Sequence, residues 1–228
     1  MSQDLEDLKQ LICRIGQRLW QRGYCAGNDG NLSVRLEEQR LLATATGLSK
    51  GFMDPATVRT TDLDGHGLDE TGPAPSTEIK MHAAIYRARP EVRAVVHSHA
   101  PHATAFALAG RPLPEGVYPE AEVLLGRVPL VPFELPGTAA LAEAVADALS
   151  DDTWAVLLAN HGAVTFSDKG LLDAYHRMEV LDASCRILSL CDGLGGARRL
   201  SDEQLRQVLE AKRDHYGLND GRLEKNHE

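Results

Sequence analysis

Apolar side chains recur at helical spacing from the start of the chain. Leu5, Leu8, Leu11, Ile12, Ile15 and Leu19 line one face and Gly23 follows, so the pattern predicts an amphipathic helix over residues 4–22 that stops at a glycine. Short apolar runs with alternating or β-rich composition predict strands at 32–36, 41–44 and 58–63, separated by turn formers such as Asp64-Gly65. A helix is expected over 77–89, opened after Pro75-Ser76 and stopped by Pro90, and the valine-rich stretch 92–99 reads as a strand. Beyond it the pattern predicts a helix at 103–109, a strand at 128–133, a helix at 139–149 and a strand at 154–159. Residues 170–191 fit one long helix, and Ser201 with Gln204 makes a capping box that opens a final helix to about Tyr216. Helices and strands mix throughout, without repeats, so the expected architecture is a layered α/β domain around one central sheet, with its strand order open.

Composition narrows the function classes. A chain of 228 residues that is 43% hydrophobic and 25% charged can bury a sizeable core, and one domain spanning 1–228 is expected. No apolar run is long enough to cross a membrane. The 24 basic and 33 acidic residues leave a net charge of -9 with no basic stripe, which argues against nucleic acid and anionic membranes as partners. An anionic substrate would therefore need a local pocket. Cys13, Cys25, Cys185 and Cys191 form no CxxC pair, and the acid-rich N-terminus lacks a signal-peptide core, so a reducing, cytoplasmic setting is expected.

The sharpest chemical feature is His97-Ser98-His99 at the end of a predicted strand, because alternate strand residues share a face and aim both imidazoles at one point. Two such rings are either metal ligands or a half-buried pair bonded to backbone. Asn160-His161-Gly162 follows a buried strand, and His161 is the candidate third ligand. Glu78, in the first turn of a predicted helix, is either a carboxylate that stabilises the helix N-terminus or a base beside a metal. Ser76 and Thr77 in the same turn suit a phosphate. The turns 27–31 and 44–47 are plain turns or oxyanion cradles, and Lys50 is by default solvated, though it could add charge to such a pocket. His66, His176, His215 and His227 are expected at the surface and His82 in the core, with His102 open.

In their order and spacing, Gly27-Asn28-Asp29-Gly30-Asn31-Leu32-Ser33, Thr44-Ala45-Thr46-Gly47, Pro75-Ser76-Thr77-Glu78, the His97/His99 pair and Asn160-His161-Gly162 resemble the class II aldolase/adducin family. The likeness is closest to its L-fuculose-phosphate aldolase branch and spans nearly the whole chain. It implies a largely antiparallel central sheet flanked by helices. It implies that His97, His99 and His161 hold one divalent ion, zinc before manganese or cobalt, with Glu78 completing the shell or turning away, and that Gly30, Asn31, Thr46, Gly47, Ser76 and Thr77 wrap a substrate phosphate. Tyr118 and Tyr216 match tyrosines that reach a neighbouring subunit's site in a homotetramer. The implied reaction is cleavage of a ketose 1-phosphate, such as L-fuculose 1-phosphate or 5-deoxyribulose 1-phosphate, to dihydroxyacetone phosphate and an aldehyde, through a metal-stabilised enediolate that Glu78 protonates. Ala45, where relatives often carry proline, and Glu134-Leu135-Pro136 depart from the pattern. A sugar-phosphate 4-epimerase, a decarboxylase and a methylthioribulose-phosphate dehydratase are alternatives within the family. A non-catalytic adducin-like binding protein is an alternative of another class, against which the retained histidines argue.

Overall fold

The computed structural model describes residues 2–218 and 220–223. Its strands are β1 Asn31–Glu37, β2 Arg40–Ala43, β3 Arg59–Asp62, β4 Ala94–Ser98, β5 Leu130–Val131, β6 Ala155–Leu158 and β7 Gly162–Ser167. They form one seven-stranded sheet in the order β3-β2-β1-β4-β7-β6-β5, antiparallel at every pairing except β5 with β6. The helices are α1 Ser2–Gln21, α2 Ile79–Ala88, α3 Pro101–Leu108, α4 Pro119–Leu124, α5 Ala139–Asp147, α6 Leu171–Asp192 and α7 Asp202–Tyr216. None of the described helices is long and apolar enough to cross a membrane.

The sheet is buried on both faces because its strands alternate between two apolar layers. In β4, Ala94 and Val96 join the layer built with Ile12, Ile15 and Leu19 of α1, Phe106 of α3 and Met178 and Leu181 of α6. Val95 joins the opposite layer with Ile79, Ile85 and Tyr86 of α2 and Leu141 and Val145 of α5. The period of two then assigns His97 to the α2 side, and in β1 it sends Asn31 and Ser33 there too, since Leu32 and Val34 belong to the α1 layer.

Local signals explain most element ends. Gly23 follows α1 with φ 72°, and the capping box forms, Ser201 Oγ accepting from Gln204 N at 3.2 Å while Gln204 Oε1 accepts from Ser201 N at 2.9 Å. Three expectations needed revision. The strand predicted over 128–133 shrinks to Leu130–Val131 because Pro129 and Pro132 bring no N–H to the ladder. α4 and β7 lie where no element was predicted; every residue of β7 is buried, so it shows no alternation of apolar and polar positions. α2 begins at Ile79, which leaves Glu78 in the position before the helix.

At the far end, the Lys212 ammonium of α7 donates to Asp220 Oδ2 at 2.8 Å with both side chains fully buried, and Arg222 joins Asp220 to Glu122 of α4. This network ties the tail to both helices. Breaking a buried pair from one side strands a charge in the interior. Asp220→Ala is expected to lower the unfolding free energy by about 3–5 kcal/mol, measured by urea titration.

Candidate active site and metal centre

The two glycine turns, the Ser76-Thr77-Glu78 segment, His99 and His161 meet at one cavity of about 250 Å³, with His97 buried behind them. Register brings them together. Asn31 of β1 pairs with His97 of β4, and His97 pairs with Val164 of β7, so the ends of the three central strands lie side by side. His161 occupies the three-residue connection between β6 and β7, where Asn160 takes the left-handed conformation, φ 57°, that asparagine tolerates. Gly162, next in the chain, has no substitute: a Cβ there would come within 2.7 Å of the His99 ring and 2.8 Å of the Ser98 carbonyl.

The three imidazoles stand edge to face, with ring centroids 4.8 to 5.2 Å apart, and their ligand atoms lie within 4.8 Å of one another. His97 is fully buried and its Nδ1 donates to the Ala163 carbonyl at 3.0 Å, which leaves Nε2 as a bare lone pair. Burial pushes this imidazole down to about 4, so the ring is neutral at physiological pH, the form that binds metals. His99 directs Nδ1 at Asp29 Oδ2, 3.3 Å away, while its Nε2 is buried without a partner, as is that of His97. Burial also lowers His161.

Glu78 completes the cluster. Its Oε1 lies 3.3 Å from His161 Nε2, and its Oε2 lies 3.4 Å from His97 Nε2 and accepts a 2.7 Å hydrogen bond from Asn31 Nδ2. Burial favours the neutral acid, but the two histidines and the Asn31 donor outweigh it and hold the carboxyl below its usual range. Glu78 makes no capping hydrogen bond to α2; its oxygens are turned to Asn31 and the two histidines. The donor set of three imidazoles and one carboxylate, with buried, unbonded nitrogen and oxygen atoms facing one another, fits a divalent cation.

The expected phosphate residues Gly30, Asn31, Thr46, Gly47, Ser76 and Thr77 all line the cavity. The turns carrying them are not separate: Thr46 N donates to Ala74 O and Ser76 N to Thr44 O, a short ladder that consumes those two amides. Lys50 departs from its expected solvated state. It is buried, lines the same cavity, and burial pulls its ammonium's proton affinity down. Asp29 and Pro136 also line it. The sequence offered no signal for Asp29 beyond its place in the first turn, whereas Pro136 lies in a stretch that departs from the family pattern.

Tyr118 and Tyr216 do not reach this cavity within one chain. Tyr118 precedes α4 and packs against the α1-side core, and Tyr216 ends α7, 53% exposed. His82 is buried in the core as expected, its Nδ1 sharing a 2.7 Å hydrogen bond with Ser33 Oγ. His66, His176 and His215 are exposed, His102 is held by Asp182, and His227 lies outside the described residues.

Over residues 10–189 the sequence matches the family described as Class II Aldolase and Adducin N-terminal domain. The chain belongs to the class II aldolase/adducin family. Among its relatives, the 3-oxo-tetronate 4-phosphate decarboxylase of Cupriavidus necator is 36% identical over 211 residues, covering 90% of this chain and 95% of that one. The L-fuculose phosphate aldolase of Methanococcus maripaludis is 33% identical over 183 residues, covering 80% and 95%. The crystal structure of YgbL from Escherichia coli superposes with a TM-score of 0.82 at 34% identity, covering 90% of this chain and 98% of that one. The class II aldolase/adducin fold, read from the motifs, is the observed one.

Two measurements probe the centre. A carboxylate on the second nitrogen of a ligating histidine fixes its tautomer, and losing it costs about 10- to 100-fold in metal affinity; Asp29→Ala is expected to weaken zinc binding by that factor in a chelator competition. In the metal-free protein, burial holds His82 at about 3 and His97 at about 4, below their ordinary 6.5. The unfolded chain therefore binds more protons between these values, and stability is expected to fall as pH drops from about 6.5 toward 4, read as a declining urea midpoint.

Proposed function

We propose that the chain is a divalent-metal-dependent lyase acting on a small phosphorylated keto acid of the 3-oxo-tetronate 4-phosphate type, releasing carbon dioxide and dihydroxyacetone phosphate. The observation that carries this reading is the single cavity in which Glu78 stands between two imidazoles of a three-histidine cluster and beside the hydroxyls of Thr46, Ser76 and Thr77. The ion, zinc or a similar cation such as manganese or cobalt, would be held by His97, His99 and His161, and when bound it supplies a Lewis acid for the substrate's keto and adjacent hydroxyl oxygens. The protein's own residues do the rest. The two turns and Ser76-Thr77 hold the phosphate and thereby orient the bond between the carboxylate carbon and its neighbour. As that bond breaks, carbon dioxide leaves without needing a proton, and the electron pair moves toward the keto oxygen. Glu78, which the site holds as a carboxylate, then relays to the carbon left behind one proton taken up from water.

This balance favours decarboxylation over aldol cleavage. Breaking a carbon–carbon bond to release an aldehyde requires a further base for the hydroxyl on the departing carbon, and in the single chain the cavity's other carboxylate, Asp29, faces His99. Decarboxylation needs only one proton, taken up from water through Glu78, and no base for a departing hydroxyl. The second reading, aldol cleavage of a ketose 1-phosphate, is supported by the L-fuculose phosphate aldolase relatives; it would draw Tyr118 and Tyr216 from a neighbouring subunit of a homotetramer, with sites at the subunit interfaces. Either reading places the protein among cytoplasmic enzymes of sugar-acid or sugar metabolism.

The test supplies the metal-loaded protein with 3-oxo-tetronate 4-phosphate and, in parallel, L-fuculose 1-phosphate, and follows carbon dioxide and dihydroxyacetone phosphate. Chelator-sensitive carbon dioxide release from the keto acid is expected. Dihydroxyacetone phosphate from L-fuculose 1-phosphate with no turnover of the keto acid would instead establish aldol cleavage, and turnover of neither would overturn both readings. Glu78→Gln is expected to lower turnover by about 10²- to 10⁴-fold while the fold is kept, checked by the same assay with circular dichroism alongside.

A further inference from the structure

Lys50 is a buried cation held by backbone carbonyls. Its side chain is 1% exposed, and Nζ donates to two backbone carbonyls, Leu48 O at 2.5 Å and Asn28 O at 3.1 Å. An ammonium carries three donors, and among the described residues no carboxylate forms an ion pair with this one. Leaving a charge unpaired in the interior is costly, yet the fold builds the position deliberately. Lys50 opens the short turn Lys50–Phe52, which presses on α1 at Gly16, where a Cβ would come within 2.9 Å of the Lys50 carbonyl and closer still to Met53. The ammonium is thereby driven inward, into the wall of the cavity.

Its two acceptors belong to the two glycine turns, Asn28 to the first and Leu48 directly after the second. The charges around it also call for an anion. Asp29 and Glu78 offset the two charges of a divalent ion, so Lys50 is the cavity's surplus positive charge, and it is the one Lys or Arg among the described lining residues. In a chain of net charge -9, a phosphate dianion is otherwise met only by neutral hydroxyls and amides.

We propose that Lys50 is the charged member of the phosphate subsite, its ammonium tying the two glycine turns into one cradle and directing its remaining proton at a substrate phosphate oxygen. The assignment rests on the lyase reading above, in which those turns hold a phosphate. It makes Lys50 a determinant of specificity for phosphorylated over unphosphorylated substrates.

The test is calorimetric titration of the zinc-loaded protein with inorganic phosphate, for the wild type, Lys50→Gln and Lys50→Arg, with zinc affinity recorded for each. The wild type is expected to bind phosphate more weakly as salt rises. Lys50→Gln is expected to lose about tenfold or more in phosphate affinity and most of the salt dependence, with zinc affinity unchanged, and Lys50→Arg to recover part of the loss. Where the glutamine variant does not fold, Lys50→Met fills the same buried space. On the wild type itself, phosphate is expected to shift the Lys50 ammonium resonance in a nitrogen-resolved NMR spectrum. Phosphate affinity within twofold of wild type in a folded Lys50→Gln or Lys50→Met, or an ammonium resonance that phosphate leaves unmoved, overturns the assignment and leaves the lyase reading standing. Absence of phosphate binding by the wild type overturns both.

Discussion

The site depends on the register of three central strands. With Asn31, His97 and Val164 abreast on β1, β4 and β7, the polar residues of β1 and the first histidine of β4 fall on the α2 side of a sheet whose two faces are both packed. A slip of one residue would exchange Val95 with Val96 between layers and turn His97 into the α1 core. Apolar packing on both faces therefore fixes where a polar group sits, and the hydrogen bond from His97 Nδ1 to the Ala163 carbonyl fixes which nitrogen is left over. Ser33 against His82 and Asn31 against Glu78 follow from the same alternation.

What could be read from the chain was local in origin. The convergence of His97 and His99 continues the period of two of β4 one residue past its end at Ser98, and the glycine after α1 and the capping box of α7 are short-range signals. β7 gave no such signal, because a strand buried on both faces has no polar alternation, and it begins directly after a histidine-bearing turn that drew attention first. The burial of Lys50 was illegible for a different reason. It arises from the approach of α1 to a turn far along the sequence, through the missing side chain of Gly16, and no window around Lys50 contains that information. The same holds for Asp29, whose meeting with His99 is a tertiary event. The segments 44–47 and 75–78 were legible as motifs, but not as the single backbone ladder they form.

Family membership and reaction separate at a definite place in this molecule. In the proposed roles, the imidazole cluster, Glu78 and the two glycine turns would serve any step that leaves an electron pair on a carbon beside a phosphorylated ketone, which is why the fold alone does not choose between the decarboxylase and aldolase readings. What differs is the departing fragment. Carbon dioxide asks nothing further of the protein, whereas an aldehyde asks for another proton-transfer group.

The energetics of the bare chain point to the same centre. Buried polar atoms without partners each cost about 1–3 kcal/mol, and of those in this protein, His97 Nε2, His99 Nε2, Glu78 Oε1 and Asn31 Oδ1 belong to the site, next to a lysine that faces only backbone carbonyls. A fold selected for stability alone would disperse or pair such groups. Their concentration means that the folded chain carries its deficit of hydrogen-bond partners at one place. A ligand that pairs these groups would raise the stability of the native state by mass action.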